Sequence, residues 1–264
     1  MSKKIQDRNF DRLIDKFEQK VYGTVKGEWR LKLLKEDLAR FHVEPAGLVK
    51  TPLQIWDAGC GLAQISQWLA QAGHQLTLCD LSAKMLARAQ AEFNQANLEA
   101  TFLHGAAQDL AADLPPFDLV LFHAVLEWLA DPKPTLKTVA DQVRPDGYLS
   151  LLFYNRNTIV YTNVLKGDWR LKLILDDAYI GKGKKLTPPN PQYPHDVQAW
   201  LSEWGFEIET HTGIRVFNDY LTPEVQAKSN QDELLALEYQ YCRMPTYRDM
   251  GRYVHLLARR KSTK

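Results

Sequence analysis

The residues of this chain best suited to chemistry are two glycines one position apart, preceded by an acid. The run Leu53-Gln54-Ile55-Trp56 is largely apolar and ends in Asp57-Ala58-Gly59-Cys60-Gly61. Gln64-Ile65-Ser66-Gln67-Trp68-Leu69-Ala70 follows with helical spacing, so strand, tight turn and helix start is the reading. Glycine in such a turn admits positive φ and lets a ligand approach the backbone. The helix start adds unpaired N–H groups and partial positive charge, which favour a carboxylate or phosphate. About twenty residues on, a second apolar run, Gln75-Leu76-Thr77-Leu78-Cys79, ends in Asp80. An acid there is placed to hold ribose hydroxyls, because two acceptor oxygens face a vicinal diol.

Glycine turn plus second acid fits two cofactor classes, nicotinamide dinucleotides and S-adenosylmethionine. The dinucleotide fingerprint requires glycine or alanine at the sixth position; here that position is Gln64. Asp57 would repel a pyrophosphate but suits the ammonium of a methionine moiety. The pattern therefore favours S-adenosylmethionine.

The elements that must position these residues alternate. A helix is expected at 83–94, a strand near 100–104, and a loop at Gly105-Ala106-Ala107-Gln108-Asp109. Phe117-Asp118-Leu119-Val120-Leu121-Phe122-His123 is nearly continuous in apolar residues, as suits a strand buried on both faces. A short helical turn is expected at 124–130 and a helix from Pro134, then a turn at Arg144-Pro145-Asp146-Gly147 and a fifth strand at 148–154. Alternation of this kind implies a largely parallel sheet. It breaks at 155–196, a stretch rich in Lys, Arg, Gly and Pro. Asp196 is expected to cap a helix to Trp204, with Gly205 at its C-terminus. Segments 206–210 and 214–217 read as strand, a helix is expected at 232–241, and Tyr253-Val254-His255-Leu256-Leu257-Ala258 closes the sheet.

At the front, a mixed-charge helical stretch over 11–38 is interrupted at Tyr22-Gly23-Thr24-Val25-Lys26-Gly27, with a second helix expected from near Glu28. Residues 1–50 read either as a surface helix pair or as a helical lid over the cofactor, and the lid is adopted. Residues 51–264 then form the main domain, with a basic insert at about 156–195.

The 264 residues, 45% of them hydrophobic, allow one domain with a large core. A formal charge of +1 announces no global attraction to nucleic acid. Cys60, Cys79 and Cys242 are widely spaced and fit no metal pattern, so free thiols are expected. No apolar run of signal-peptide or membrane-spanning type is present, and a cytoplasmic protein without metal or membrane contact, working as a monomer, is the expectation.

The organisation resembles class I S-adenosylmethionine-dependent methyltransferases, and the resemblance sharpens in its motifs. Phe10, Tyr22-Gly23-Thr24, Lys26-Gly27, Asp57-Ala58-Gly59, Cys79-Asp80-Leu81-Ser82 and Ala106-Ala107-Gln108-Asp109 are similar to one bacterial family. So are Phe122-His123-Ala124-Val125-Leu126-Glu127-Trp128, Leu152-Phe153-Tyr154-Asn155, Gly213-Ile214-Arg215-Val216-Phe217 and Gly251-Arg252-Tyr253-Val254-His255. That family is the tRNA 5-carboxymethoxyuridine methyltransferases, and the resemblance spans nearly the whole chain. Cys60 and Leu62 depart from the smaller or polar residues expected around the turn.

The resemblance implies an α/β fold, a seven-stranded Rossmann-like sheet with helices on both faces and inserts after the fifth and sixth strands. It implies methyl transfer from S-adenosylmethionine to the carboxylate of a modified wobble uridine in the tRNA anticodon stem-loop. Gly59, Cys60 and Gly61 would offer backbone to the cofactor, Asp57 its charge, Asp80 the ribose contact, and Ala107 and Gln108 the flanks of the adenine. Arg30 would pair with the cofactor carboxylate through its planar fork, and His123 would meet the reactive centre. Tyr22, Lys26 and Tyr154 fall on the substrate side. A carboxylate nucleophile is already ionised at neutral pH, so a positioning cation matters more than a base; Arg215 is the candidate.

The basic block Lys166, Arg170, Lys172, Lys182, Lys184 and Lys185, interleaved with Tyr161, Trp169 and Tyr179, suits single-stranded RNA through charge and stacking. A solvated surface is its plain alternative. Two other functions stay open: a small-molecule O-methyltransferase gripping an acidic metabolite, and a cofactor-binding scaffold without catalysis.

Overall fold

The structure, a computed structural model, describes residues 7–11, 14, 24–40, 51–167, 171–176 and 188–262. Its centre is one sheet of β1 (Gln54–Ala58), β2 (Gln75–Asp80), β3 (Thr101–His104), β4 (Phe117–His123), β5 (Val143–Tyr154), β6 (Phe206–Ile214) and β7 (Tyr253–Arg260). The strand order is β3-β2-β1-β4-β5-β7-β6. All pairings are parallel except those of β7, which runs antiparallel to both β5 and β6. Around it lie α1 (Val25–Ala39), α2 (Gln64–Gln71), α3 (Ala83–Gln95), the single turn α4 (Ala107–Leu110) and α5 (Pro132–Ala140). The second half adds α6 (Arg156–Leu165), α7 (Leu171–Leu175), α8 (Pro194–Glu203), α9 (Pro223–Lys228) and α10 (Gln231–Tyr241).

Strand side chains alternate between faces, and the core divides accordingly. Trp56, Val120, Phe122, Leu149, Leu151, Phe153, Val254 and Leu256 pack on one side with α5 and α8 residues such as Leu136 and Val197. Ile55, Leu119, Leu121, Leu152 and Leu257 pack on the other with Leu33, Leu34 and Leu38 of α1, Leu69 of α2 and Phe93 of α3. Each of these large side chains contributes roughly 1.5–3 kcal/mol when fully buried. By the same alternation Asp57, His123, Ser150 and His255 fall on the second face, beneath α1.

Several expectations are corrected. α1 begins at Val25, not near Glu28, because the Thr24 side chain accepts from Gly27 N at 3.2 Å and caps the first turn. The loop expected at 105–109 contains the helical turn α4. β5 starts at Val143 and runs through the expected turn, absorbing it as a register shift against β4 with Asp146 at φ 62°. β6 is one strand with an irregularity between Ile208 and Thr210, and it ends before Arg215 rather than continuing to Phe217. α8 begins at Pro194, whose missing N–H is harmless in a first turn, so Asp196 lies inside the helix rather than capping it. Gly205, at φ 83°, does follow that helix. The insert is partly helical: Asn155 caps α6 through Asn157 N, and its Nδ2 donates to Asp249 O and Gly251 O. Cys60, Cys79 and Cys242 are free and buried, as expected.

Candidate active site

The turn after β1 is stitched to the end of β2. Gly59 N and Cys60 N both donate to Cys79 O, at 2.9 and 2.8 Å, and Gly61 N donates to Asp80 Oδ2 at 2.9 Å. Gly59 adopts φ 94°, and a Cβ there would stand 2.5 Å from Val125 Cγ2. Cys60 and Leu62 are buried, so the two unexpected residues of the turn pack inward and leave its outer surface to backbone.

Asp80 accepts from Ser82 N at 2.7 Å through its other oxygen. The side-chain cap of α3 is Ser82, which accepts from Met85 N. Each Asp80 oxygen therefore retains a second acceptor site. Burial raises the Asp80 pKa against these two hydrogen bonds. Asp57 is more perturbed: burial, with a contribution from Asp80, pushes it up to about 7 despite the Ser66 hydroxyl that donates at 2.5 Å. A buried and a half-buried carboxyl with no salt bridge among the described residues suit a positively charged ligand.

These groups open on a cleft of about 1100 Å³, counting its mouth. Arg30, Asp57, Gly59, Cys60, Gly61, Asp80, Ala107, Gln108 and His123 all line it. Arg30 is buried, not the exposed helix arginine that pattern alone would favour. Burial first, and then the nearby Arg30 charge, hold His123 well below the usual histidine range, so the ring is neutral.

Sequence reasoning missed a strap across the mouth. Asp7 accepts from Gln108 Nε2 at 2.8 Å and from Ala130 N at 2.7 Å, and Arg8 N donates to Trp128 O. Phe10 meets Trp128 edge-on at 5.0 Å, and Asp11 accepts from Ser82 Oγ. Such a segment, polar and unpatterned, carries no periodic signal. Glu127 was also not singled out. It is buried with a pKa near 7, chiefly through burial, and its Oε2 has no hydrogen-bond partner among the described residues.

Arg215, Lys26 and Tyr154 gather beside this cleft rather than in its lining. Asp219 accepts from Arg215 Nε at 2.8 Å, Arg252 Nε at 3.0 Å and Lys26 Nζ at 3.0 Å. Although burial opposes it, the charges of Arg215, Arg252 and Lys26 hold Asp219 far below the usual carboxylate range. Three cations share one carboxylate, so the cluster retains net positive charge. Arg252 also donates to Tyr154 Oη at 2.7 Å. Arg215 sits at φ 61°, an uncommon conformation for a side-chain-bearing residue. Its terminal nitrogens have no partner among the described residues. The two clusters meet at Tyr253, whose ring has the Arg30 guanidinium at 5.9 Å and that of Arg215 at 5.4 Å. Of the basic insert, Lys166 and Lys172 are exposed. Tyr22, Trp169, Arg170, Tyr179, Lys182, Lys184 and Lys185 lie outside the described residues.

The methyltransferase domain family matches residues 56–151. Magnesium protoporphyrin IX methyltransferase from Synechocystis, solved with bound SAH, aligns over 96% of both chains at 20% identity and TM-score 0.62. The plantazolicin methyltransferase BamL aligns over 95% of this chain and 90% of its own at 14% identity and TM-score 0.56. With the sheet order, the glycine turn and the paired acids, these likenesses define the fold of a class I S-adenosylmethionine-dependent methyltransferase. The tRNA 5-carboxymethoxyuridine methyltransferase of Escherichia coli K12 is 42% identical over 267 residues, 98% of this chain and 99% of that one. The ubiquinone biosynthesis O-methyltransferase of a Xanthomonas euvesicatoria strain is 26% identical over 61% of this chain. The chain belongs to the tRNA 5-carboxymethoxyuridine methyltransferase family.

Proposed function

We propose that the protein esterifies the carboxylate of 5-carboxymethoxyuridine at the tRNA wobble position, with S-adenosylmethionine as methyl donor. The observation that carries this reading is end-to-end similarity at 42% identity to a relative of that name. The cleft fits the cofactor: Asp57 is buried and Asp80 half-buried, neither has a salt bridge among the described residues, and the turn they flank presents the backbone of Gly59 and Gly61 to the cleft. When bound, the cofactor supplies an electrophilic methyl group on a sulfonium.

The chain's own residues then have separable tasks. Asp80 receives ribose hydroxyls on its unused acceptor sites, Ala107 and Gln108 flank the adenine, and Arg30 pairs with the amino-acid carboxylate. Asp57 balances positive charge, and neutral His123 adds no repulsion at the reactive end. Of the 1–50 segment read as a lid, the strap at 7–11 and Arg30, Leu31 and Leu34 of α1 border the cleft, and much of the rest lies outside the described residues. The Arg215–Arg252–Lys26 cluster attracts the substrate carboxylate, and the Arg215 fork holds one oxygen while the other is free to react. Asp219 fixes the plane of that fork. Tyr22 and Tyr154 belong to the same substrate side, and the basic insert, with Lys182, Lys184 and Lys185, meets the anticodon stem-loop. No general base is required because the nucleophile is ionised.

The test is methylation of tRNA bearing 5-carboxymethoxyuridine with labelled S-adenosylmethionine, read by nucleoside mass spectrometry. A methyl ester at the wobble position is expected. Labelling of an acidic metabolite but not of tRNA would overturn the reading.

A further inference from the structure

A buried chain of hydrogen bonds runs from α1 through the sheet to the cofactor cleft. Arg243 Nε and Nη2 both donate to Asp37 Oδ1, at 2.9 and 2.6 Å. Asp37 Oδ2 lies 2.7 Å from His255 Nδ1, His255 Nε2 lies 2.8 Å from Ser150 Oγ, and Ser150 Oγ lies 2.8 Å from His123 Nε2. Asp37, His255 and Ser150 are each completely buried. None of them lines the cleft, yet they end on the His123 ring, which does.

The chemistry of the links leaves few arrangements. An ionised carboxylate only accepts, so His255 must donate from Nδ1. Arg243 pairs with Asp37 and also with Glu36, which Arg40 shares, so the acids are matched by arginines, and an uncharged His255 completes the group without an extra buried cation. Its Nε2 is then an acceptor and takes the Ser150 hydroxyl proton. Ser150 Oγ, having donated that proton, accepts from His123 Nε2. The His123 ring is thereby held in one tautomer, with Nδ1 bare. That nitrogen has no partner among the described residues. Asp57 lines the same cleft, and the charge of Arg30 is felt at the His123 ring.

We propose that Asp37, His255 and Ser150 are positioning residues that fix His123 as an Nε2–H tautomer, presenting Nδ1 as an acceptor to the ammonium of the cofactor's amino-acid end. The inference rests on the cofactor reading above and adds to it the identity of the ammonium acceptor. The opposite polarity would turn an N–H toward the ammonium and replace an attraction by a clash. Asp57 alone would otherwise carry that charge, and its own proton competes for it near neutral pH.

Ser150→Ala interrupts the chain with the least change in volume and leaves α1, which carries Arg30 and Asp37, untouched. Two probes separate a positioning role from a collapsed pocket: S-adenosylhomocysteine, which has the amino-acid end, and 5′-methylthioadenosine, which lacks it. Calorimetric titration of full-length Ser150→Ala is expected to show about tenfold weaker binding of the first and unchanged binding of the second. Equal loss for both probes, or no loss for either, would overturn the proposal. Wild-type protein that binds neither probe would remove the cofactor reading itself. A measurement without any variant stands beside this one. Long-range proton–nitrogen spectra of the wild-type histidines should show His123 as Nε2–H and His255 as Nδ1–H, with His123→Gln serving only for assignment. An Nδ1–H tautomer at His123 would refute the chain's polarity whether or not Ser150→Ala folds.

Discussion

Asp57→Asn is expected to stabilise the fold while weakening the site. The Asp57 carboxyl is buried, its proton affinity is raised from 3.8 to about 7, and burial is the main cause. A rise of roughly a thousandfold in proton affinity corresponds to about 4 kcal/mol between the protonated and ionised forms. Between about pH 4 and 7 the native carboxyl holds a proton that the unfolded chain has released. Stability from this group therefore increases as pH falls through 7 toward 4 and is absent above 7. Asparagine keeps the shape and can still accept from Ser66, but carries no charge at any pH. Urea unfolding at pH 8 should show Asp57→Asn more stable than wild type by up to about 4 kcal/mol. At pH 5 most of that advantage should vanish, because wild-type Asp57 is then protonated too. Comparing the two proteins at each pH cancels acids that do not act on Asp57, such as Glu127 and Glu238. The same substitution should weaken S-adenosylmethionine, whose positive charge then faces a neutral amide. An advantage equal at pH 5 and pH 8 would refute the assignment of a raised carboxyl. Unchanged cofactor affinity at pH 8 would separate Asp57 from the charge of the ligand.

Other perturbations probe the remaining parts. Asp80→Ala should weaken S-adenosylmethionine by roughly 1–3 kcal/mol in calorimetry, the scale of lost hydrogen bonds to a charged acceptor. Arg215→Lys should keep cofactor affinity and slow methyl transfer, and Arg215→Ala should raise the barrier by about 2–4 kcal/mol in single-turnover assays at saturating substrates. Gly59→Ala, forced against Val125 Cγ2 at φ 94°, should lose about 1–3 kcal/mol of stability by chemical denaturation and bind cofactor poorly. Changing Lys182, Lys184 and Lys185 together to Ala should flatten the salt dependence of tRNA binding and leave cofactor affinity intact, as filter-binding titrations would show.

Much of the cofactor side was legible in the sequence because it is local. Gly59, Gly61 and Asp80 sit at strand ends that apolar runs announce, and turn chemistry depends on neighbours in sequence. Strand alternation also dictated that Asp57 shares a face with Ile55, and His123 with Leu119 and Leu121. The substrate side was legible only as motifs: Arg215 could be named, but not the carboxylate that holds it. Asp219 lies only four residues on, but past the end of β6 where no helical pattern announces the pair, and Lys26 and Arg252 reach the same carboxylate from separate segments that no spacing rule connects.

What the sequence alone determined was the strands and most of the helices of the alternating core, with the face each strand side chain takes. Which strands lie side by side was decided by the tertiary structure. β7 inserts between β5 and β6 although it is last in the chain, because antiparallel pairing there buries Val254, Leu256 and Ala258 against the same core as Leu149 and Leu151. That insertion brings His255 to Ser150, and packing of Leu33, Leu34 and Leu38 brings Asp37 down on His255. These residues are 218 apart in sequence at the Asp37–His255 contact. Local propensity has no reach over that distance, and burial of the shared core decides the pairing.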